Sequence, residues 1–205
     1  MKILFATNNP SKLELYKNMF RNTDYEIVCL KDLDIIHDVI EDGNNPTENA
    51  LKKAREYQSI SNIITISEDS GLYLEGLEDK KQPGTHVRRD ESGNDLTDDQ
   101  ILEKYVKIAK ENGGQIKGKW LKSIAIVDNN KVEYVYEYDV EKIFTDRISE
   151  RRHKGFPLDS ISITPEYNKY TIDLTDEENE MLLKKNREKM YNYVINVLKN
   201  ITSIN

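Results

Sequence analysis

Cysteine and histidine are scarce in this 205-residue chain, which holds one Cys and three His. A single thiol excludes both a disulfide framework and a thiolate zinc site. Cys29 sits in the apolar stretch Glu26-Ile-Val-Cys-Leu30, where it reads as a small buried filler. Neither His86 nor His153 has a second histidine at metal-binding spacing, and His37, among Ile35, Ile36, Val39 and Ile40, reads as structural. Long apolar runs are missing too. No stretch approaches the roughly 20 residues needed to cross a bilayer, and Met1–Ala6 lacks the longer apolar region and cleavage site of a secretory signal. A cytoplasmic protein with no membrane contact is expected. A basic excess is also lacking: the formal net charge of −7 argues against general nucleic-acid binding, which needs a cationic surface that releases counterions. An anionic ligand remains allowed only where cations and carboxylates converge locally, with a divalent metal to offset the mean field.

What is present is 37% apolar and 33% charged residues, enough for one sizeable core and hence a single domain over residues 1–205 or two closely packed lobes. Ile3–Ala6 reads as a buried strand, Thr7–Ser11 as a loop, and Leu13, Tyr16 and Phe20 as the apolar stripe of a helix capped by Asn9 with Pro10 in its first turn. A second helix is expected from about Pro46 to Ser59, then a strand over Ile63–Ser67 that ends at Glu68-Asp-Ser-Gly71. Asp79–Asp99 reads as a long polar loop leading into a helix around Asp98–Asn112. Trp120–Val127 and Lys131–Phe144 flank the turn Asp128-Asn-Asn130, and Val132, Tyr134, Tyr136, Tyr138 and Val140 alternate as in a half-buried hairpin strand. A further loop and strand occupy Arg151–Thr164. Thr175-Asp-Glu-Glu178 fits a capping box opening a last helix, whose buried stripe includes Met190, Tyr191, Val194, Val197 and Leu198. Helices interleaved with strands, plus one long hairpin, predict an α/β protein with a mixed sheet.

Five segments carry chemistry. Asn8, Asn9, Ser11 and Lys12 open a helix after a strand, where amides and an ammonium meet phosphate; a capping segment with one solvated lysine explains the same letters. Glu48 and Lys52 have the spacing of a surface ion pair, or Glu48 points inward as a hard ligand for Mg2+ while Lys53 reaches a phosphate. Glu68-Asp69 follow directly on an apolar strand. Either they form a polar turn, or one carboxylate holds a metal while its neighbour accepts a proton from water. Pro83–Arg89 brings Arg88 and Arg89 next to a turn, as phosphate forks or solvated charges. In Arg151–Asp159, Phe156 offers a stacking face and Asp159 an acceptor for ring N–H groups; a basic loop anchored by one buried Phe is the competing account.

The order of these segments resembles the inosine/xanthosine triphosphate pyrophosphatase family over nearly the full length. Ala6-Thr-Asn-Asn-Pro-Ser-Lys12 with Glu14, Thr47-Glu-Asn-Ala50 with Lys53-Ala54, Glu68-Asp-Ser-Gly-Leu72, Pro83-Gly84 with Arg89, and Gly155-Phe156 with Asp159 are similar to its successive motifs. The resemblance implies a Mg2+-dependent hydrolase that converts a nucleoside triphosphate, of the ITP, dITP or XTP type, to its monophosphate and pyrophosphate. It implies Glu48, Glu68 and Asp69 as metal ligands and Asp69 as the carboxylate that activates water. Thr7, Asn8, Lys12, Lys53, Ser70 and Arg89 would contact the substrate, and Phe156 and Asp159 would meet the base. An elongated mixed sheet flanked by helices is implied, in two lobes with a cleft between them and the hairpin lobe at roughly 79–150, and so is a homodimer. The sequence departs from the pattern on the base side: Pro157-Leu158 and Ser160 replace the Gly, aromatic and Pro expected there. The carboxyl-terminal Ser-His-Arg is absent, with Lys184-Lys185 or Asn186-Arg187 standing in its place, and Asn179 replaces an expected lysine. A related pyrophosphatase with shifted base preference, or a nucleotide-binding protein with little turnover, is the alternative.

Overall fold

Ile3, Leu4 and Phe5 are all fully buried in the first strand, β1 (Lys2–Phe5), as in a strand covered on both faces. The computed structural model describes residues 1–203, without the side chain of Ser11. After β1 come α1 (Pro10–Met19), β2 (Glu26–Val28), α2 (Pro46–Ser61), β3 (Thr65–Leu74), α3 (Asp98–Glu111), β4 (Gln115–Val127), β5 (Glu133–Thr145), β6 (Ser162–Thr164), β7 (Lys169–Tyr170) and α4 (Asp176–Ser203). The strands form one seven-stranded sheet in the order β2-β1-β3-β4-β5-β6-β7. β1 runs parallel to β2 and β3, with Leu4 opposite both Val28 and Thr65. β6 is antiparallel to β5 and to β7. The mixed α/β sheet expected from the sequence is therefore the one adopted.

Two compact units share these strands. The first comprises Met1–Ser70, Lys122–Tyr138 and the chain from Asn186 onward; the second comprises Gly71–Leu121 and Asp139–Lys185. The second unit thus extends past the range 79–150 on both sides and leaves the hairpin turn to the first.

In the first unit, alternation along the strands sends Ile3, Phe5, Ile66, Ile124 and Ile126 to one face, against Tyr16 and Phe20 of α1 and Met190, Val194 and Leu198 of α4. Phe5 and Tyr16 stack with ring centroids 3.7 Å apart. Each such side chain stabilises the fold by about 1.5–3 kcal/mol through removal from water. The other face carries Leu4, Ala6, Val28 and Leu30 against Tyr57 of α2. Ala50 and Ala54 of α2 meet Ala125 and Val127, and these small residues let the helix lie close enough for the Ser67 hydroxyl to donate to the Ala50 carbonyl.

Helix ends follow the expected chemistry. Asn45 caps α2 by accepting from the Glu48 amide at 2.9 Å, with Pro46 in the first turn, and Asn62 closes the helix in the left-handed region at φ 56°. The capping box at Thr175 and Glu178 forms as read from the sequence, at 3.2 and 2.9 Å. Thr97 and Gln100 make another at α3.

β3 differs from expectation. Glu68–Gly71 form no turn; the strand runs unbroken from Thr65 to Leu74. Its acids find lysine partners in place, as described below, so nothing forces the chain to turn out to water. In the second unit Leu72, Leu74, Val87, Ile101, Tyr105, Ile116 and Phe144 make a separate core. Gly118 on β4 is required there, because a Cβ would lie 2.8 Å from the Tyr73 carbonyl oxygen and 2.7 Å from Leu74 Cδ2. Among the described residues no helix is long and apolar enough to cross a membrane.

Candidate active site

Where β1 and β2 end beside the middle of β3, a cavity of about 280 Å3 opens within the first unit. In parallel sheets this end is where ligands bind. Ala6, Thr7, Asn8 and Asn9 follow β1, Leu30 follows β2, and Glu68 and Asp69 lie on β3 beyond its pairing with β1; Lys12 comes from α1 and Lys53 and Tyr57 from α2. Asp38, Val39 and Glu41 complete the wall from the segment between β2 and α2. The loop after β1 is shaped by its own side chains: Thr7 Oγ1 accepts from the Asn9 amide at 3.1 Å, and Asn9 Oδ1 accepts from the Lys12 amide at 3.3 Å. Asn9 is thus the cap the sequence suggested.

Glu68 and Asp69 both line the cavity and take different lysines. Glu68 pairs with Lys12 at 3.2 Å and is almost fully buried, at 8% side-chain exposure. Lys53 is the hub on the other side. Its Nζ donates to the Glu68 carbonyl oxygen at 3.1 Å, pairs with Glu41 at 3.2 Å and lies 3.8 Å from Asp69 Oδ1. Asp69 Oδ2 is buried and has no hydrogen-bond partner among the described residues. That oxygen is the site's unmet acceptor.

On the Glu68 side the field is dense. Burial, and then the nearby Glu68 carboxylate, push the Tyr16 hydroxyl well above the ordinary tyrosine range, and the same two causes raise Tyr138. Lys122 of β4 is pushed below the usual lysine range by burial first, with Lys12 and Arg187 adding to the effect and Glu68 opposing it. Its ammonium stands 6.0 Å from the Tyr138 ring centroid.

The expected residues are only partly gathered. Thr7, Asn8, Lys12, Lys53, Glu68 and Asp69 all line the cavity. Glu48, read from the sequence as an inward metal ligand or a surface ion pair, is not among the residues lining the cavity. It is exposed, and its carboxylate accepts from the Asn44 amide at 2.8 Å, from Asn44 Nδ2 at 3.1 Å and from Asn45 Nδ2 at 2.9 Å. The Asn44 backbone bond is the main cause of its lowered pKa. The surface pair of Glu48 with Lys52 does not form either, since Lys52 pairs with Asp42 at 2.6 Å. Among the described residues no three His, Cys, Asp or Glu side chains are grouped closely enough to hold a metal unaided.

Ser70 closes the first unit and is not among the residues lining the cavity. Arg187 belongs to the first unit, whereas Arg89, Phe156, Asp159, Lys184 and Lys185 belong to the second. There Arg89 lies 3.8 Å from Asp95, and Arg88 pairs with Asp98 at 2.6 Å. Phe156 is 58% exposed and tilted over His153 at 4.7 Å between centroids. The Asp159 carboxyl is raised by burial, against the opposing charges of Lys142 and His153. Asp38, Glu41, Tyr57 and Lys122 were not anticipated. The one available signal was Glu41-Asp42-Gly43, acids beside a glycine shortly before a helix start.

The Ham1 family model matches residues 3–187. The chain belongs to the Ham1 family. Among its relatives, the dITP/XTP pyrophosphatase of Thermoanaerobacter pseudethanolicus is 31% identical, over 95% of this chain and 97% of that protein. The crystal structure of a nucleoside-triphosphatase, dITP/XTP pyrophosphatase, from Mycobacterium abscessus is 26% identical with a TM-score of 0.76, covering 93% of this chain and 97% of its own. A HAM1 protein from Coxiella burnetii, at 20% identity and a TM-score of 0.80 over 98% of this chain and 99% of that one, shares the fold. In this Ham1 chain the strand-end cavity is built by the same stretches that carry the family resemblance around Thr7–Lys12, Lys53 and Glu68–Asp69.

Proposed function

We propose that this protein hydrolyses non-standard purine nucleoside triphosphates, of the dITP and XTP kind, to monophosphate and pyrophosphate with the help of Mg2+. The observation that supports this reading best is the buried Asp69 Oδ2, without a hydrogen-bond partner among the described residues, in a cavity furnished with two lysines. A buried carboxylate oxygen without a donor is costly, and it persists where a ligand or reacting group meets it. Hard carboxylate oxygens also suit Mg2+, which takes one or two protein carboxylates and completes its shell with water and phosphate oxygens. Glu68 and Asp69, with Glu41 beyond Lys53, would hold the ion. When bound, it offsets negative charge on the phosphate oxygens.

The residues divide the remaining work. Lys12 and Lys53, with Thr7 and Asn8, bind the triphosphate and hold it against the acids. Asp69 Oδ2 takes a proton from water while the water oxygen attacks the α-phosphorus. The bond from the α-phosphorus to the bridging oxygen breaks, and pyrophosphate departs with its new charge met by the two ammonium groups. The monophosphate keeps the water oxygen. Phe156 is the proposed stacking platform and Asp159 an acceptor for the base, with Ser70, Arg89, Lys184, Lys185 and Arg187 as further substrate contacts. A cytoplasmic homodimer belongs to the same reading, and light scattering checks the dimer.

A panel including dITP, XTP, dATP and GTP, read separately for pyrophosphate and orthophosphate, tests the assignment. Pyrophosphate is the expected first product, and Asp69→Asn should slow its release by about 10^2–10^4-fold, the span of a lost general base. Orthophosphate as the first product would refute the reading.

A further inference from the structure

Glu41 reaches the cavity from a segment with no regular structure, so something must fix that segment. Its neighbours Gly43 and Asn44 are tied to the first turn of α2: the Gly43 amide donates to Asn49 Oδ1 at 2.7 Å, and the Asn44 amide donates to Glu48 Oε2 at 2.8 Å. Asn49 is 1% exposed, so this acceptor is shielded from competing water. The contact is also closely fitted, because a Cβ on Gly43 would lie 2.7 Å from Asn49 Oδ1, 2.8 Å from Glu48 Cβ and 3.0 Å from the Asn49 amide nitrogen. Only glycine lets the loop approach the helix this closely. α2 carries Lys53 one turn further on, and Lys53 pairs with Glu41 at 3.2 Å. One helix therefore grips both the loop backbone and the side chain that the loop delivers.

We propose that Asn49 and Glu48 are positioning residues: they latch the Gly43-Asn44 backbone to α2 and so set the Glu41 carboxylate at the cavity for cation binding. This gives the Glu48-Asn49 pair a role through the loop and not through direct ligation, and it rests on the cation-assisted reading given above. Residues that orient a metal's ligands typically change affinity 10–100-fold when removed. Loss of the latch should act on cation affinity, with the base at Asp69 left in place.

The test is calorimetric titration of the full-length protein with Mn2+ alone, without nucleotide, as a stand-in for Mg2+. Asn49→Ala and Gly43→Ala should each weaken Mn2+ binding by about 10–100-fold. In a Glu41→Gln background, Asn49→Ala should weaken it by less than about threefold further, since a latch has nothing left to position. The same cycle with the exposed Glu48→Ala replacing Asn49→Ala provides an arm that keeps the core intact should Asn49→Ala fail to fold. Unchanged Mn2+ affinity in folded Gly43→Ala and Glu48→Ala, or full additivity with Glu41→Gln, would overturn the latch. If parent protein binds Mn2+ but releases no pyrophosphate from any nucleotide, the functional reading fails while the latch stands. If Asp69→Asn abolishes turnover and the latch variants bind Mn2+ normally, the reverse holds.

Discussion

Replacing Lys53 with methionine should destabilise the protein. The side chain is only 12% exposed and makes three electrostatic contacts: a charge-assisted hydrogen bond to the Glu68 carbonyl, a pair with Glu41, and a longer approach to Asp69. A hydrogen bond to a charged donor is worth about 1.5–3 kcal/mol. The pair with Glu41, whose side chain is 43% exposed, adds at most about 1 kcal/mol after solvent screening, and the 3.8 Å approach to Asp69 adds less. Methionine retains the aliphatic stem, so the packing contribution largely cancels. The net loss is about 2–3 kcal/mol, which for a chain of this length lowers Tm by about 4–12 °C. Differential scanning calorimetry at pH 7 reads the shift. A Tm within about 1 °C of the parent at pH 7 would refute the placing of Lys53 as the hub of the site.

Lys122→Met should melt higher than the parent at pH 7. Burial depresses the folded-state pKa of Lys122, so its contribution to stability is present above the unfolded lysine value of about 10.4 and is lost as pH falls toward the folded value; equal Tm values at pH 7 would contradict this. Asp159→Asn should gain stability over the parent as pH rises from 4 to 7, measured by urea denaturation. The folded carboxyl is raised by burial, so its stabilising contribution is complete below the unfolded value of about 3.9 and disappears as pH climbs through the folded one, although Lys142 and a protonated His153 oppose the trend. Gly118→Ala should cost about 1–3 kcal/mol, because the added carbon meets the backbone oxygen of Tyr73 at 2.8 Å and that strand cannot readily move; a neutral result in the same denaturation assay would show that β3 yields.

Much of this was legible in the sequence for local reasons. Ile3–Ala6 and the alternating tyrosines announce strands, and Asn9, Pro10, Thr175 and Glu178 announce helix starts through chemistry confined to a few neighbouring residues. Glu68 and Asp69 stood out because acids at the end of an apolar run need partners, and Lys12 and Lys53 are those partners. Tertiary contacts hid the rest. At the third residue of α2 a carboxylate is well placed to satisfy its own loop, which is where Glu48 turns. Glu41 lies in a segment without periodicity, and its position depends on a tie between Gly43 and Asn49 that no local pattern encodes. Lys122 falls in phase with Trp120, Ile124 and Ile126 along β4, and its packing beside Tyr138 makes it a half-buried charge. β2 and β7, at three and two residues, are too short to display any alternation.

Where the oxygen of water goes tests the central claim most directly. Turnover of dITP in 18O-labelled water should place one labelled oxygen in the nucleoside monophosphate and none in pyrophosphate, since attack falls on the α-phosphorus beside Asp69. Label recovered in the pyrophosphate, or in orthophosphate, would mean that a different phosphorus is attacked and that the strand-end acids do not perform the chemistry assigned to them.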